Sequence, residues 1–363
     1  MRGGDCFGPL ALAMTGGWES LRGAQRRRNH FRLWAALACW VISLGVWAAP
    51  EDAHELLSRI QAAARQRNFV GTMVFTAGDV VSSSRVAHFT VGQQSYERVE
   101  ALDGQLERVY RHNQIVHSFW PQARVATVER RDASTSHPMS HPMWPELDAR
   151  VQEVYDARVV GIDRIAGRVA QVLMMRPRDE WRFAQRLWAD EQTGLMLRAD
   201  VMGPQGAVLE STAFTDVQIG ARPQQESVLG PMKQLSGWRV VSMKPMPTQL
   251  EVEGWMVNRA PAGFRLLGVV KRPVAIPDAG SEVGRETAAA QTVQAVFSDG
   301  LARVSVFIEP RDPAAARQPL LTQMGATHTL MKPHSERWWV TVMGDVPAAT
   351  LKQFHAALVR RPS

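Results

Sequence analysis

Residues 69–91, FVGTMVFTAGDVVSSSRVAHFTV, decide the fold class of the chain. Val, Phe and Thr dominate two short runs, which the turn-forming residues Ala77-Gly78-Asp79 separate. Such runs around a glycine-containing turn predict a β-hairpin. Four more runs of this kind follow, and they read QSYERVEAL, QLERVYRHN, QIVHSFWP and RVATVERR. Short strands joined by short turns predict an antiparallel meander.

The residues on either side of this meander complete a first domain, expected at 49–220. Before it, residues 52–67 (DAHELLSRIQAAARQR) place Leu56, Leu57, Ile60, Ala63 and Ala64 on one face, which predicts an amphipathic helix. After an irregular, proline-containing stretch at 132–150, runs typical of strands resume and continue to Gly220. We therefore predict an α+β domain, with one curved antiparallel sheet and helices packed on one side. An all-β sandwich is the alternative.

The sequence predicts a linker and a second, smaller domain after Gly220. Residues 221–237 (ARPQQESVLGPMKQLSG) contain two prolines and little apolar pattern, which is typical of a linker. In the expected domain at 238–363, GWRVVSM, GFRLLGVVKRPV, TVQAVFSD, GLARVSVFIEP, ATHTLMKP and RWWVTVMGD resemble strands. Pro347 then opens PAATLKQFHAALVRR, which has helical apolar spacing. An antiparallel sheet with a C-terminal helix is expected.

Residues 1–48 have the features of a cleavable signal peptide. Basic residues at Arg26–Arg28 and Arg32 precede an apolar run from Leu33 to Trp47, and Val46-Trp47-Ala48 fits a cleavage site. The apolar run is shorter than the roughly 20 residues that a spanning helix needs, although a retained anchor is the alternative. The expected location is outside the cytoplasm. Both cysteines lie before the cleavage site, so no disulfide is expected in the exported chain.

Charge gives little support for a nucleic-acid partner. The net charge of the whole chain is +7, but residues 1–48 carry six of the arginines and only two of the acids. An exported protein also rarely meets nucleic acid. We therefore expect no nucleic-acid binding.

The sequence contains no recognisable catalytic or nucleotide-binding motif, so neither an enzyme nor a cofactor is expected. Its one metal-like feature is a repeated His-Pro-Met in residues 136–143, SHPMSHPM. His and Met are soft ligands that suit copper. The two prolines, however, favour an extended path that keeps the ligands apart. We favour a loop over a copper site at His137, Met139, His141 and Met143.

Aromatic pairs raise the question of an apolar ligand. In Phe119-Trp120 and Trp338-Trp339, alternation along a strand directs one ring of each pair away from the core face. Large core residues are the simple explanation. A half-open sheet could instead leave an apolar cavity with arginines at its mouth for an anionic head group.

Four long blocks of the chain resemble the RseB/MucB family, periplasmic negative regulators of the sigma-E envelope-stress response. They are LWADEQTGLMLRADVMGPQGAVLESTAFTDVQIG (187–220), WMVNRAPAGF (255–264), VFSDGLARVSVFIEP (296–310) and GATHTLMKPHSERWWVTVMGDVPAAT (325–350). The resemblance implies a first domain like the lipoprotein carriers LolA and LolB, which is an unclosed antiparallel β-barrel with packed helices and an apolar cavity.

The resemblance also implies a function. Such proteins bind the periplasmic domain of a single-span, RseA/MucA-like anti-sigma factor, shield it from site-1 proteolysis, and release it when lipopolysaccharide or another acylated lipid binds. A periplasmic lipid or lipoprotein carrier is the alternative, and the oligomeric state, a homodimer included, stays open. We expect lipid contacts at Phe119, Trp120, Arg124 and Trp144, and partner contacts at His334, Arg337 and Trp338.

Overall fold

The computed structural model describes residues 52–104, 106–130, 150–273, 291–311 and 317–361, all of which belong to one compact unit. The helices in these ranges are α1 (Ala53–Gln66), α2 (Val151–Val154), α3 (Glu226–Lys233) and α4 (Ala348–Ala357). None of them is long and apolar enough to cross a bilayer.

Strands dominate the described residues. The first eleven are β1 (Phe69–Ala77), β2 (Val80–Val91), β3 (Gln94–Ala101), β4 (Arg108–His112), β5 (Ile115–Trp120), β6 (Val125–Arg130), β7 (Tyr155–Ile165), β8 (Arg168–Pro177), β9 (Ala184–Asp190), β10 (Met196–Met202) and β11 (Val208–Ile219). They are followed by β12 (Arg239–Met243), β13 (Met246–Thr248), β14 (Trp255–Val257), β15 (Arg265–Pro273), β16 (Gln291–Ser298), β17 (Arg303–Pro310), β18 (Leu320–Met324), β19 (Thr327–Pro333), β20 (Trp338–Gly344) and β21 (Leu358–Arg360).

The first sheet contains twelve strands in the order β12-β6-β5-β4-β3-β2-β1-β11-β10-β9-β8-β7. Its neighbours are antiparallel except for β12, which runs parallel to β6. The sheet curves enough to bring β7 against β11, although three strands lie between them in the hydrogen-bonding order. It stays open because β7 and β12 are its two edges. The predicted unclosed antiparallel barrel is therefore confirmed.

Helix α1 packs on this sheet through the face that the sequence predicts. The Asp52 side chain caps the helix by accepting a hydrogen bond from the His54 N–H, the usual role of Asp at this position. Leu56, Leu57 and Ile60 are buried in a cluster with strand residues such as Leu173 and Leu187. Burial of this apolar stripe stabilises a helix that would be marginal in isolation.

The second sheet and α4 form the predicted smaller layer. The order of its seven strands is β13-β15-β16-β17-β20-β19-β18, and every neighbouring pair is antiparallel. Helix α4 contacts β19 and β20. Its Leu351 and Phe354 are fully buried in the core of this sheet. A separate two-stranded sheet pairs β14 with β21.

The segment expected to be a linker is structured and packs on the first sheet. Helix α3 occupies part of it, and Val228, Leu229 and Met232 cover the cluster that contains Tyr110 and Phe119. Its helical pattern is hard to recognise because Gly230 and Pro231 interrupt it.

Strand β12, which was expected in the second domain, instead pairs with β6 of the first sheet. A division of the chain within 221–237 remains a proposal.

Candidate functional site

Three of the four residues predicted to contact lipid, Phe119, Trp120 and Arg124, lie in the β5–β6 hairpin. Phe119 is buried, and its ring packs 4.9 Å from the ring of Trp238 and 5.7 Å from that of Tyr110, both measured between centroids. Trp120 is half-buried at the end of β5. Arg124 is exposed in the turn with φ of 50°. The carbonyl of Arg124 accepts a hydrogen bond from the Arg239 N–H, which fixes the start of β12.

This arrangement brings Phe119, Trp120 and Arg124 into one hairpin, but it covers the ring of Phe119. The apolar residues of α3 and Trp238 close over the cluster that holds this ring. Trp144 lies outside the described residues. The lipid-binding role of all four residues stays a prediction.

The His-Pro-Met repeat also lies outside the described residues, with His137, Met139, His141 and Met143. In the part of the chain that the structure describes, no group of three or more His, Cys, Asp or Glu side chains could hold a metal ion.

The residues predicted to contact the partner protein occupy the turn between β19 and β20. The His334 N–H donates to the Trp338 carbonyl at 3.0 Å and closes the turn. Arg337 is exposed, and its N–H donates to Ser335 Oγ at 3.3 Å. The structure therefore brings His334, Arg337 and Trp338 together.

A cluster of aromatic rings and one arginine packs against this turn. The buried ring of Trp255 lies 5.4 Å from the Trp338 ring and 5.3 Å from the His334 ring. The Arg360 guanidinium lies over both indoles, 4.9 Å from the Trp338 centroid and 5.1 Å from that of Trp255. Such cation–π contacts hold the indoles in place. Burial lowers the pKa of His334 and of neighbouring His355, which favours neutral imidazoles here.

Four cations surround the turn at one end of the second sheet, where β17 and β19 end and β18 and β20 begin. We call this surface the basic end and define it by Arg311, Arg317, Lys332 and Arg337, all of them exposed. Among the described residues, its acids are Glu309, which pairs with Arg317, and Glu336. These described side chains together carry an excess of two positive charges, which would attract an acidic segment.

Strand β18 borders the basic end and forms one edge of the second sheet. All five of its residues, LLTQM, are exposed. Leu320, Leu321 and Met324 are among the exposed large apolar residues. Sequence reasoning missed this strand because it has no buried, alternating face. The available signal was a short apolar run before Gly325, whose φ of 58° suits a turn.

A buried ion pair joins the second sheet to the first. Arg182 precedes β9, and its guanidinium donates to Asp299 Oδ2 at 3.0 Å and to both oxygens of Asp179. It also donates to the Ala262 carbonyl. The Arg182 and Asp299 side chains are both fully buried. Desolvation by burial raises the pKa of Asp299, while the Arg182 charge opposes this shift.

A second contact between the sheets joins the β18–β19 turn to β1 and β11. An added Cβ at Gly325 would lie 2.6 Å from Ala77 Cβ and 3.1 Å from the Leu209 carbonyl. The adjacent Ala326 N–H hydrogen-bonds to the Glu210 carboxylate. Burial, aided by the charge of Asp345, raises the Glu210 pKa to about 7. Sequence patterns gave no signal for either contact because the residues are far apart in the chain.

Groups of the second sheet surround this carboxylate. Asp345 accepts a hydrogen bond from Thr327 Oγ1, and burial raises its pKa as well. The positive form of His328 would oppose that shift. The His328 ring packs 6.0 Å from Phe183 of the first domain. Two carboxyl groups and one imidazole thus share the contact.

A shallow cavity of about 330 Å³ lies between β13 and β15. Residues 248–251 and 266–269 line it, including the exposed Leu266. Its volume is at the lower limit for ligand pockets.

Comparisons with known proteins match this chain along most of its length. The family model described as "MucB/RseB N-terminal domain" matches residues 52–232, and the one described as "MucB/RseB C-terminal domain" matches residues 249–359. The "Sigma factor AlgU regulatory protein MucB" of Pseudomonas aeruginosa is 30% identical over 332 residues, covering 86% of this chain and 91% of the relative.

The "Sigma-E factor regulatory protein RseB" of Escherichia coli K12 is 22% identical, covering 89% of this chain and 96% of the relative. A solved complex of Pseudomonas aeruginosa MucA and MucB superposes with a TM-score of 0.64 at 27% identity, covering 86% of this chain and 100% of the solved chain. A crystal structure described as MucB in complex with MucA(peri) gives a TM-score of 0.61 at the same identity and coverage.

Proposed function

The chain belongs to the MucB/RseB family, and from this premise we propose that it binds the periplasmic segment of a single-span anti-sigma factor. It is a negative regulator of a sigma-E-type stress response, because the bound segment is shielded from site-1 proteolysis and the sigma factor stays sequestered. The observation that carries the proposal is the match to MucB across both domains, together with the solved complex of MucB with the periplasmic part of MucA.

The partner surface includes His334, Arg337 and Trp338. Exposed Arg337 offers charge, and half-buried Trp338 offers apolar surface on a turn that Trp255 and Arg360 hold in place. A rigid aromatic beside an arginine is the composition that binding hot spots favour.

Lipopolysaccharide or another acylated lipid binds the first domain and releases the partner. The support is physical. The two sheets meet at the Arg182–Asp299 ion pair and at the β18–β19 turn, so a change in one can reach the other. Coupling of this kind is reciprocal, since a lipid that weakens partner binding by a given factor is itself bound more weakly, by that factor, when the partner is present.

The protein works in the periplasm after a signal peptide in residues 1–48 has been removed, and it acts by binding without catalysis. Support for the first statement is the basic and apolar pattern of that segment. Support for the second is that the relatives are named as regulatory proteins.

Calorimetry tests the proposal. The chain from Ala49 onward is titrated with the periplasmic segment of the anti-sigma factor from the same bacterium, with and without lipopolysaccharide. We expect binding that lipopolysaccharide weakens at least tenfold, roughly 1.4 kcal/mol. Absence of binding in both conditions would overturn the regulatory function. Equal binding in both conditions would overturn lipid-controlled release, but the anti-sigma factor would remain the partner.

A further inference from the structure

The outer strands of the two large sheets differ in how they are protected against pairing with another chain. Natural edge strands carry charges, prolines or bulges, or are very short, because an open row of backbone N–H and C=O groups recruits further strands. Edge β7 contains a bulge between Val159 and Gly161 and four charged residues, Asp156, Arg158, Asp163 and Arg164. This edge is well protected.

Edges β12 and β13 are also protected. Strand β12 begins with Arg239 and is followed by Lys244. Strand β13 is only three residues long and contains Pro247, which cannot donate a backbone hydrogen bond.

Edge β18 has none of these devices within the strand itself, although Pro319 directly precedes it. Its sequence LLTQM contains no charge and no proline, and its register with β19 runs without a bulge from Leu320 to Met324. Leu320 and Met324 are about half exposed, at 50% and 49%. An unprotected edge of this kind, five residues long, offers about 17 Å of pairing length at the usual rise per residue.

We propose that β18 is a docking strand, to which an extended acidic segment of the anti-sigma partner adds as the next strand of the second sheet. This inference rests on the proposed function and names the place and the mode of partner binding. In strand addition, backbone hydrogen bonds supply affinity and alternate side chains supply selectivity.

Charge identifies the occupant. The basic end lies where β18 begins, and its cation nearest to β18 in the strand order is Lys332, which follows Met331, the partner of Leu320 on β19. Acidic side chains of the segment would be attracted to the cations of the basic end, because Glu309 and Glu336 neutralise only part of their positive charge. A partner segment with apolar residues opposite β18 and acids at this end fits best.

A second copy of the chain fits less well. Antiparallel pairing of β18 with its own copy, centred on Thr322, would place each basic end beside the other copy's β18–β19 turn. That turn, residues 323–327, reads QMGAT and contains no acid. The cations would therefore gain no partner.

Hydrogen exchange of the chain from Ala49 onward tests the inference directly. Exchange of the backbone amides in residues 320–325 is measured with and without a saturating amount of the anti-sigma factor's periplasmic segment. We expect the segment to slow exchange there by about tenfold or more, because newly bonded N–H groups are protected. Unchanged exchange in β18, with protection elsewhere, would overturn the inference while leaving the proposed function intact.

Two variants and a control complete the test by calorimetry. Thr322→Pro disrupts backbone pairing, and the double variant Leu320→Ser with Met324→Ser removes apolar surface from side chains that are about half exposed. We expect each to bind the segment at least tenfold more weakly. Val252→Pro, at an exposed turn residue away from the edge, should bind as the unaltered chain does. Normal binding by the double variant together with Thr322→Pro would overturn the inference.

Two further results distinguish a failure of this inference from a failure of the proposed function. If the unaltered chain does not bind the segment at all, the proposed function and this inference fail together. If β18 becomes protected as the chain concentration rises in the absence of the segment, a second copy is the occupant and the choice of the anti-sigma partner is overturned.

Discussion

Arg182 shows how one buried side chain can join two sheets. Its guanidinium donates to Asp299, to Asp179 and to the Ala262 carbonyl, and Tyr155 adds a hydroxyl donor to Asp299 at 3.4 Å. A buried ion pair repays its desolvation only when hydrogen bonds satisfy the remaining polar atoms, and here they largely do. The pair therefore fixes the position of the two sheets at this contact, because moving either charge away would leave the other buried without a partner.

Arg182→Ala should be strongly destabilising. It leaves Asp299 buried without a cation, which costs about 3–5 kcal/mol for pairs of this kind. The measurement is the free energy of unfolding by chemical denaturation. The matched control is Arg158→Ala, whose ion pair with Asp156 is largely exposed and should cost about 0–1 kcal/mol. Similar losses in the two variants would contradict the role of the buried pair.

At the scale of single elements, burial of apolar faces decides which helices the sequence reveals. The apolar periodicity of α1 and α4 is visible in the sequence, and both helices are confirmed, although α4 ends at Ala357 and the residues expected to continue it form β21. Helix α3 was missed because Gly230 and Pro231 break its pattern, and β18 because no residue of it is buried. The sequence does not reveal Arg182 beside Asp299, since 117 residues separate them. His334, Arg337 and Trp338 could be grouped from the sequence because they lie close along the chain.

Helix α4 should stabilise the second sheet mainly through Phe354. This ring is fully buried between Phe264 and Phe297, at centroid distances of 5.5 and 5.0 Å. Phe354→Ala should cost about 3–5 kcal/mol in the free energy of unfolding, because it leaves a cavity. Lys352→Ala, an exposed position of the same helix, should change it by less than about 0.5 kcal/mol. Equal effects would mean that α4 is not anchored through this face.

At the scale of the whole molecule, contacts of different chemistry hold the sheets together, and they include the ion pairs Arg182–Asp299 and Arg272–Glu129 and the contact around Glu210. The Arg182–Asp299 pair is a charge pair that burial keeps intact. The contact around Glu210 and Asp345 instead places two acids near each other with little positive charge to balance them. The proposed release of the partner requires a contact that is weaker than the core, and the contact around Glu210 and Asp345 fits that need.

Proton binding at Glu210 should therefore stabilise the contact. Its pKa is raised from 4.5 to about 7, so between those two pH values the folded form holds a proton that the unfolded form has lost. The contribution of this group to the free energy of unfolding is fully present below about pH 4.5 and is lost as the pH rises to about 7.

The variant Glu210→Gln isolates this effect. The difference in unfolding free energy between the variant and the unaltered chain should shift in favour of the variant as the pH rises from about 4.5 to 7. Above pH 7 the difference should stay constant. Chemical denaturation across this range measures the difference. A constant difference for Glu210→Gln would mean that this carboxylate is ionised in the folded protein. The contact would then be insensitive to protons, and the two sheets would respond to acid only through other groups.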